Sequence, residues 1–380
     1  MSIFYRLKRK FCWKLFSLFP KNKSKAVLQS FYGRGYSDSP KAIADELLSR
    51  DGYRIFWIVK DENAAKSLPP GVTALRDGSV RSIFHQCTAA FWVDCCRKLS
   101  FTEKATGQYY IQTWHGFPLK RIEADAGDAL PPDYISSAKK DSKMCDLFLS
   151  NSRFLTEIYH KGFWYEGEVL ECGFPRNDIL VNGGAGADRR VREALDLPPD
   201  AKLLLYAPTF RKDMGLECYD IGYEALTIAL SERFGGKWII LARLHPNMAA
   251  RAAQLGLQEH GVRNASDYPD IQELYLASEG MVTDYSSVMF DYMLTGKPCF
   301  LYVNDLQTYR DDRNFYFDIG RLPFSLAETN GQLLQNVRDF DPAVQRERVK
   351  EFREAFGVTE SGQAAKRAAD KMDEMRGRNA

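Results

Sequence analysis

The sequence predicts an α/β protein made of two parallel-sheet lobes. Three observations carry this. Short apolar runs of strand length alternate with helical runs through both halves of the chain. The strand runs are apolar on both faces, which suits a parallel sheet covered by helices on each side. The chemically distinctive residues also fall just after predicted strands, at the carboxyl edge where parallel sheets bind ligands.

The first lobe begins with Asp38-Ser39-Pro40, an N-terminal helix signal, followed by the helical KAIADELLSR and a stop at Asp51-Gly52. RIFWIVK (54–60) and GVTAL (71–75) read as strands, and SVRSIFHQCTAA as a helix. FWVD (91–94) and QYYIQTW (108–114) read as strands, as does CDLFLS (145–150), which leads into the helix RFLTEIYHKGF. EGEVLECGFPRND (166–178) gives a strand, a glycine and a turn. The glycine-rich LVNGGAGADRR is the expected boundary, with the helix REALDLP after it.

In the second lobe AKLLLYAPTFR (201–211) is a strand and a functional loop, and YEALTIALSERFG a helix. KWIILARLHP (237–246) and GVRNAS (261–266) supply strands, DIQELYLASE a helix, and GMVTDYS a strand. SVMFDYMLTG opens as a helix on a serine, and KPCFLYV (297–303) is a further strand. Two polar helical runs form the tail. The expected divisions are a basic head at 1–25, a first lobe at 26–185, a second at 186–335, and tail helices at 336–380 able to brace the first lobe.

The net charge of +2 is unevenly spread. Residues 1–25 carry eight basic side chains and no acidic one, so the remaining 355 residues carry −6. A body of that sign does not wrap nucleic acid. The eight cysteines show no C-x-x-C pair and no zinc spacing, and read as reduced, mostly buried thiols of a cytosolic protein. No apolar run approaches the roughly 18 residues of a spanning helix, and the N-terminus lacks a signal-peptide pattern. In the head, Phe4, Phe11, Leu15 and Leu18 fall near one side of a helix, interleaved with Arg6, Lys8, Arg9, Lys10 and Lys14. Such a helix suits an anionic membrane surface. The plainer alternative is a helix packed on its own protein with a solvated basic face.

Two of five histidines stand just after strands, one in each half, as a two-lobed enzyme would place one imidazole on each wall of a cleft. His115, in Q-T-W-H-G-F-P-L-K, is a candidate base, with Gly116 allowing close approach and Pro118 fixing the turn. Trp114 is expected on the opposite side of the strand. His245, in L-A-R-L-H-P, sits near Arg243, with Pro246 locking the backbone after it, and could stabilise charge on a phosphate. Ser286 and Ser287 offer hydroxyls at a helix start, a phosphate seat without a P-loop; plain N-capping is the alternative. Thr209 and Arg211 offer a further anion contact, Arg211 as a bidentate grip. Asp284 and Asp291 suit a sugar hydroxyl, a ribose or a metal, but no carboxylate cluster has metal spacing and no metal is expected. His85 is ambiguous; His160 and His260 read as bystanders.

Taken in series, W-H-G-F-P-L-K, G-F-P-R-N-D, Y-A-P-T-F-R, R-L-H-P, V-T-D-Y-S-S-V-M-F-D-Y and R-N-F-Y-F-D resemble the CDP-glycerol glycerophosphotransferase family of teichoic acid synthesis, over residues 110–320. The resemblance implies a GT-B-like fold, two Rossmann-like parallel-sheet lobes facing across a cleft. It implies transfer of glycerol phosphate from CDP-glycerol to a polyprenyl-diphosphate-linked disaccharide acceptor, at the cytoplasmic face of the cell membrane, without a cofactor. It assigns His115 as base, makes His245 necessary for transfer, and places the diphosphate on Ser286, Ser287, Thr209 and Arg211. The short chain resembles a primase adding one unit. Phe117 departs from the small polar residue of many relatives and is expected to reshape the acceptor side. The alternatives are a polymerase adding glycerol or ribitol phosphate, a nucleotide-sugar glycosyltransferase of the same architecture, and a non-catalytic lipid-surface module.

Overall fold

In the computed structural model, residues 3–211, 216–245, 248, 257, 259–306 and 315–378 are described, with side chains except at 3–7, 128–129, 216–217 and 378. Pro246 and the Arg313-Asn314 start of R-N-F-Y-F-D therefore lie outside the described residues, as do the side chains of Phe4 and Arg6. The chain divides into two compact units. Unit one comprises Met1–His115, Ile122–Asp178 and Gly357–Ala380; unit two comprises Gly116–Arg121 and Ile179–Phe356.

Unit one holds a parallel sheet of β1 (Asn22–Gln29), β2 (Arg54–Val59), β3 (Val72–Arg76), β4 (Ala89–Asp94), β5 (Tyr109–Gln112), β6 (Leu147–Ser150) and β7 (Glu168–Glu171). The order is β3-β2-β1-β4-β5-β6-β7, so the winding reverses between β1 and β4. β2 and β4 are buried almost end to end because their runs are rich in Phe, Trp, Ile and Val. The core of one face packs Leu28, Trp57 and Phe91 against Ala364, Ala368 and Met372 of the last helix, Ala364–Arg378. Asp178 holds that helix by its start, accepting hydrogen bonds from the backbone N–H groups of Ala364 and Ala365 at 2.9 and 2.7 Å.

Unit two holds β8 (Lys202–Ala207), β9 (Trp238–Ala242), β10 (Arg263–Asn264), β11 (Gly280–Thr283), β12 (Cys299–Tyr302) and β13 (Ser325–Ala327). Again the sheet is parallel, with order β10-β9-β8-β11-β12-β13, and the winding reverses between β8 and β11. Each unit is thus a Rossmann-like doubly wound sheet.

All three expected boundaries move. The division after residue 25 falls inside β1, whose pairing with β2 starts at Lys25 and Arg54. The second division falls after Asp178 rather than at 185, and the third lies inside the helix Asn330–Arg338. The head belongs to unit one. Its helix, Ile3–Phe16, lies on the helix Val80–Thr88 and buries Trp13, which is 3% exposed and donates its indole N–H to the Glu103 carbonyl at 2.8 Å. The opposite side stays in solvent, with Phe11 68% exposed and Leu15 also exposed, and Leu18 in the turn after the helix is 82% exposed.

Phe117 lies in the core. It is buried within unit two, 4.7 Å from the Phe290 ring and within 6.5 Å of the rings of Phe317, Phe352 and Phe356. Its bulk completes an aromatic core.

Candidate active site

In unit one, the loops after β1, β4 and β5 converge at the winding reversal. β5 ends at Gln112, and Trp114 then adopts φ +51°. That left-handed step is uncommon for a non-glycine residue, and it turns the chain so that Trp114 stacks on His115, centroids 4.3 Å apart and planes 30° apart. The two rings are therefore neighbours, not on opposite sides as an uninterrupted strand would place them. Gly116 comes next with φ +143°, a conformation L side chains rarely adopt.

The His115 ring is half-buried, and its Nδ1 lies 2.8 Å from the Cys95 carbonyl oxygen. A carbonyl can only accept, so Nδ1 carries the proton and Nε2 of the neutral ring is left as the acceptor. Burial pushes the basicity of His115 down. The charge of the neighbouring Cys96 thiolate, the Cys95 carbonyl and Asp38 together push it further up, and the net direction is above the ordinary histidine value. The Cys96 thiol is pulled down to about 5, first by its hydrogen bond from Cys95 and then, against burial, by His115. The Cys95 thiol moves the other way because it is buried. Arg176 holds the same loop: its Nη1 donates to the His115 carbonyl at 2.7 Å and to Asp38 at 2.9 Å. Asp38 itself has φ +61° and accepts from the Ser39 backbone N–H at 2.7 Å.

Beneath this lies a buried polar layer. Asp94, Cys95 and Cys96 bring a carboxylate oxygen and two sulfurs within 4.8 Å of one another, a donor set the spacing did not announce. The Lys98 ammonium already stands 2.9 Å from Asp94. Burial pushes the Asp94 carboxyl up to about 7, against the pull of Lys98. Arg97 is shared between Glu123 and Asp141, both at 3.1 Å.

In unit two, the loops after β9, β8 and β11 are neighbours at one sheet edge because those strands are adjacent. Thr209, Arg211 and Asp284 meet there. Asp284 accepts from the Thr209 hydroxyl at 2.6 Å, from the Thr209 backbone N–H, and from Arg211 Nη1 at 2.5 Å. Arg211 is 5% exposed and grips Asp305 with its other edge at 2.6 and 3.0 Å. The bidentate grip expected for a diphosphate is thus directed at two carboxylates, and Tyr285 donates to Asp305 at 3.0 Å. Arg243 donates to the carbonyls of Ala265 and Tyr268, and burial pulls its basicity down. It braces the loop that carries His245. His245 is exposed and stacks on Phe210, centroids 5.5 Å apart and planes 26° apart.

Ser286 and Ser287 are half-buried just past Asp284. Ser287 precedes the helix Val288–Tyr292 but makes no side-chain cap hydrogen bond, and the Ser286 hydroxyl stands 3.5 Å from the Val288 N–H. The capping alternative is therefore weakly satisfied. The sequence pattern marks the loops but assigns no site role to Asp38, Arg176, Cys96 or Asp305. Arg176 stood in plain view in G-F-P-R-N-D; its partners are distant in sequence and gave no signal.

The other histidines are structural in their surroundings. His85 stacks on Phe56 at 4.1 Å, and burial pulls it down to about 4. His160 Nδ1 lies 3.1 Å from the Tyr165 carbonyl.

A family model described as CDP-glycerol:poly(glycerophosphate) glycerophosphotransferase matches residues 12–372. A teichoic acid poly(glycerol phosphate) polymerase of Staphylococcus epidermidis is 33% identical over 90% of this chain and 50% of its own length. The chain thus spans about half the length of that relative. A teichoic acid glycerol-phosphate transferase of Staphylococcus aureus is 31% identical over 93% of this chain and 94% of its own length. Among solved structures, the wall teichoic acid polymerase TagF superposes with a TM-score of 0.84 at 30% identity, covering 98% of this chain and 95% of that one. The two Rossmann-like units are accordingly a GT-B-like fold.

Proposed function

Since the chain belongs to the CDP-glycerol:poly(glycerophosphate) glycerophosphotransferase family, we propose that it transfers glycerol phosphate from CDP-glycerol to a hydroxyl of an undecaprenyl-diphosphate-linked disaccharide. The observation that carries this reading is the 2.8 Å contact of His115 Nδ1 with the Cys95 carbonyl, which fixes the tautomer a general base needs. Nε2 of His115 takes the proton of the acceptor hydroxyl. The hydroxyl oxygen bonds to the β-phosphorus, the bond from that phosphorus to the bridging oxygen breaks, and CMP leaves with the electron pair. Ser286 and Ser287 donate to the diphosphate, and His245 stabilises the charge that develops on it. Thr209, Arg211 and Asp284 act one step back, by holding the β8 and β11 loops together.

The test is incubation with CDP-glycerol and a short-chain lipid acceptor, followed by product mass. A gain of one glycerol phosphate supports single addition, and a ladder supports repeated addition. Repeated addition is the second reading, favoured by the polymerase name of the S. epidermidis relative. No product with CDP-glycerol, but turnover of a nucleotide sugar, overturns both.

The exposed stripe of Phe11, Leu15, Leu18 and Phe19 supports a further part of the reading, contact with an anionic membrane surface. Among the described residues no helix is long and apolar enough to cross a membrane. Deleting residues 1–25 would cut β1 and remove Trp13 from the core, so substitution is the cleaner test. Replacing Phe11 and Leu18 by Ser should abolish sedimentation with phosphatidylglycerol vesicles.

A further inference from the structure

The first helix carries more than an apolar stripe. Where it lies on the turn between β3 and the helix Val80–Thr88, a cleft of about 290 Å3 opens, lined among others by Lys8, Arg9, Arg76, Asp77, Ser79 and Val80. Three cations face a single carboxylate. Arg9 is held in place at the back: it is buried, its guanidinium lies 4.3 Å over the Phe101 ring, and Asp77 stands 3.5 Å away. Lys8 and Arg76 are exposed at the mouth. The floor includes the start of a nine-residue helix, whose positive end favours an anion.

The position of this cleft relative to the stripe decides what would fill it. Within the helix, Lys8, Phe11 and Leu15 follow i, i+3, i+7 spacing, so Lys8 lies on the same side as these apolar residues, with Leu18 exposed in the turn that follows. Val80, at the mouth, is exposed as well. Apolar side chains beside a cationic cleft match the layering of a lipid surface, in which acyl chains lie directly under the phosphates. A soluble phosphate would use the cations and leave the apolar groups without purpose. A nucleic acid is disfavoured by the net −6 of the rest of the chain.

We propose that the cleft of Lys8, Arg9 and Arg76 seats the phosphate of an anionic lipid headgroup while Phe11, Leu15 and Leu18 enter the membrane surface beside it. The proposal rests on the membrane-contact reading above. The seat orients unit one on the surface, which fixes where the His115 loop faces a lipid-linked acceptor.

The experiment compares the full chain with K8A/R76A and with K161A/R189A, a control that also removes two exposed charges but lies elsewhere. Both cations of the first variant are exposed, so its fold should survive, as a thermal melt would show. Binding is read by sedimentation with phosphatidylcholine vesicles that contain or lack phosphatidylglycerol, and separately by titration with inorganic phosphate. The expected result is wild-type binding only to the anionic vesicles, a loss of about 25-fold in K8A/R76A from roughly fivefold per charge, and little change in the control. Equal losses in both variants would mean diffuse attraction and overturn the seat while leaving membrane contact standing. Binding of phosphate with no binding of vesicles would mean a soluble anion site and overturn the lipid assignment. Failure of the wild type on anionic vesicles would overturn the membrane reading itself.

Discussion

Arg176 and Asp38 pair at 2.9 Å across 138 residues of sequence, and the nitrogen that makes the pair also holds the main-chain oxygen of His115. One guanidinium therefore couples the start of a helix after β1 to the loop after β5. The candidate base is positioned by a bond to its backbone as well as by the Cys95 carbonyl on its ring.

Removing that guanidinium leaves Asp38 buried without its cation. Arg176→Ala is expected to destabilise the protein by about 3–5 kcal/mol, read from urea unfolding. Arg176→Lys keeps the charge but not the planar fork, and should recover part of the stability while turnover stays low.

His115→Gln keeps a polar side chain but cannot take a proton at the ring position. Turnover should fall by about 10²–10⁴-fold, with CDP-glycerol affinity nearly unchanged. A near-normal rate in this variant would remove His115 as the base.

The Cys96–His115 pair sets a pH dependence whose sign can be worked out. A base works only when unprotonated, so the rate falls as pH drops through the value of His115. That value lies above the ordinary one because of Cys96 among other partners. Cys96→Ser replaces a thiolate with a hydroxyl that does not ionise. The acidic limb of the rate profile should then move to lower pH. A limb that stays in place, or moves up, would mean that Cys96 does not act on His115.

Arg211 is bonded to Asp284 and Asp305 on both edges. Arg211→Met should therefore act first on stability, again by about 3–5 kcal/mol, seen as an earlier unfolding midpoint. An unchanged midpoint with a raised KM for CDP-glycerol would instead place the guanidinium on the donor.

Much of this fold could be read from the chain because its strands are apolar and its helices are punctuated. AAFWVD is the central strand of the seven and RIFWIV lies one strand in from the edge, both largely buried as their composition suggests. β1 escaped notice although it lies between β2 and β4. Its first residues, Asn22-Lys23-Ser24-Lys25, are polar, and only Ala26-Val27-Leu28 carry the strand signal. The helix Pro132–Met144 was missed because its run is polar, with few apolar residues to mark a face. The site obeyed the same logic. His115, Ser286 and Asp284 were visible because each ends a strand run. The pairing of Arg211 with Asp284 and Asp305 was not, since 73 and 94 residues separate them from it. Trp114 does not sit opposite His115 because its own left-handed backbone redirects the chain after β5.

The first unit includes both ends of the described chain, with Ala364, Ala368 and Met372 closing one face over Leu28 and Trp57. A ribosome making this protein has all seven strands of that sheet outside the exit tunnel long before it reaches the helix that covers them. Until then the apolar face waits uncovered while the second unit is synthesised. A nascent chain stalled before Ala364 should be a strong client for chaperones, and a premature stop in the last helix should harm the first unit more than the one made just before it.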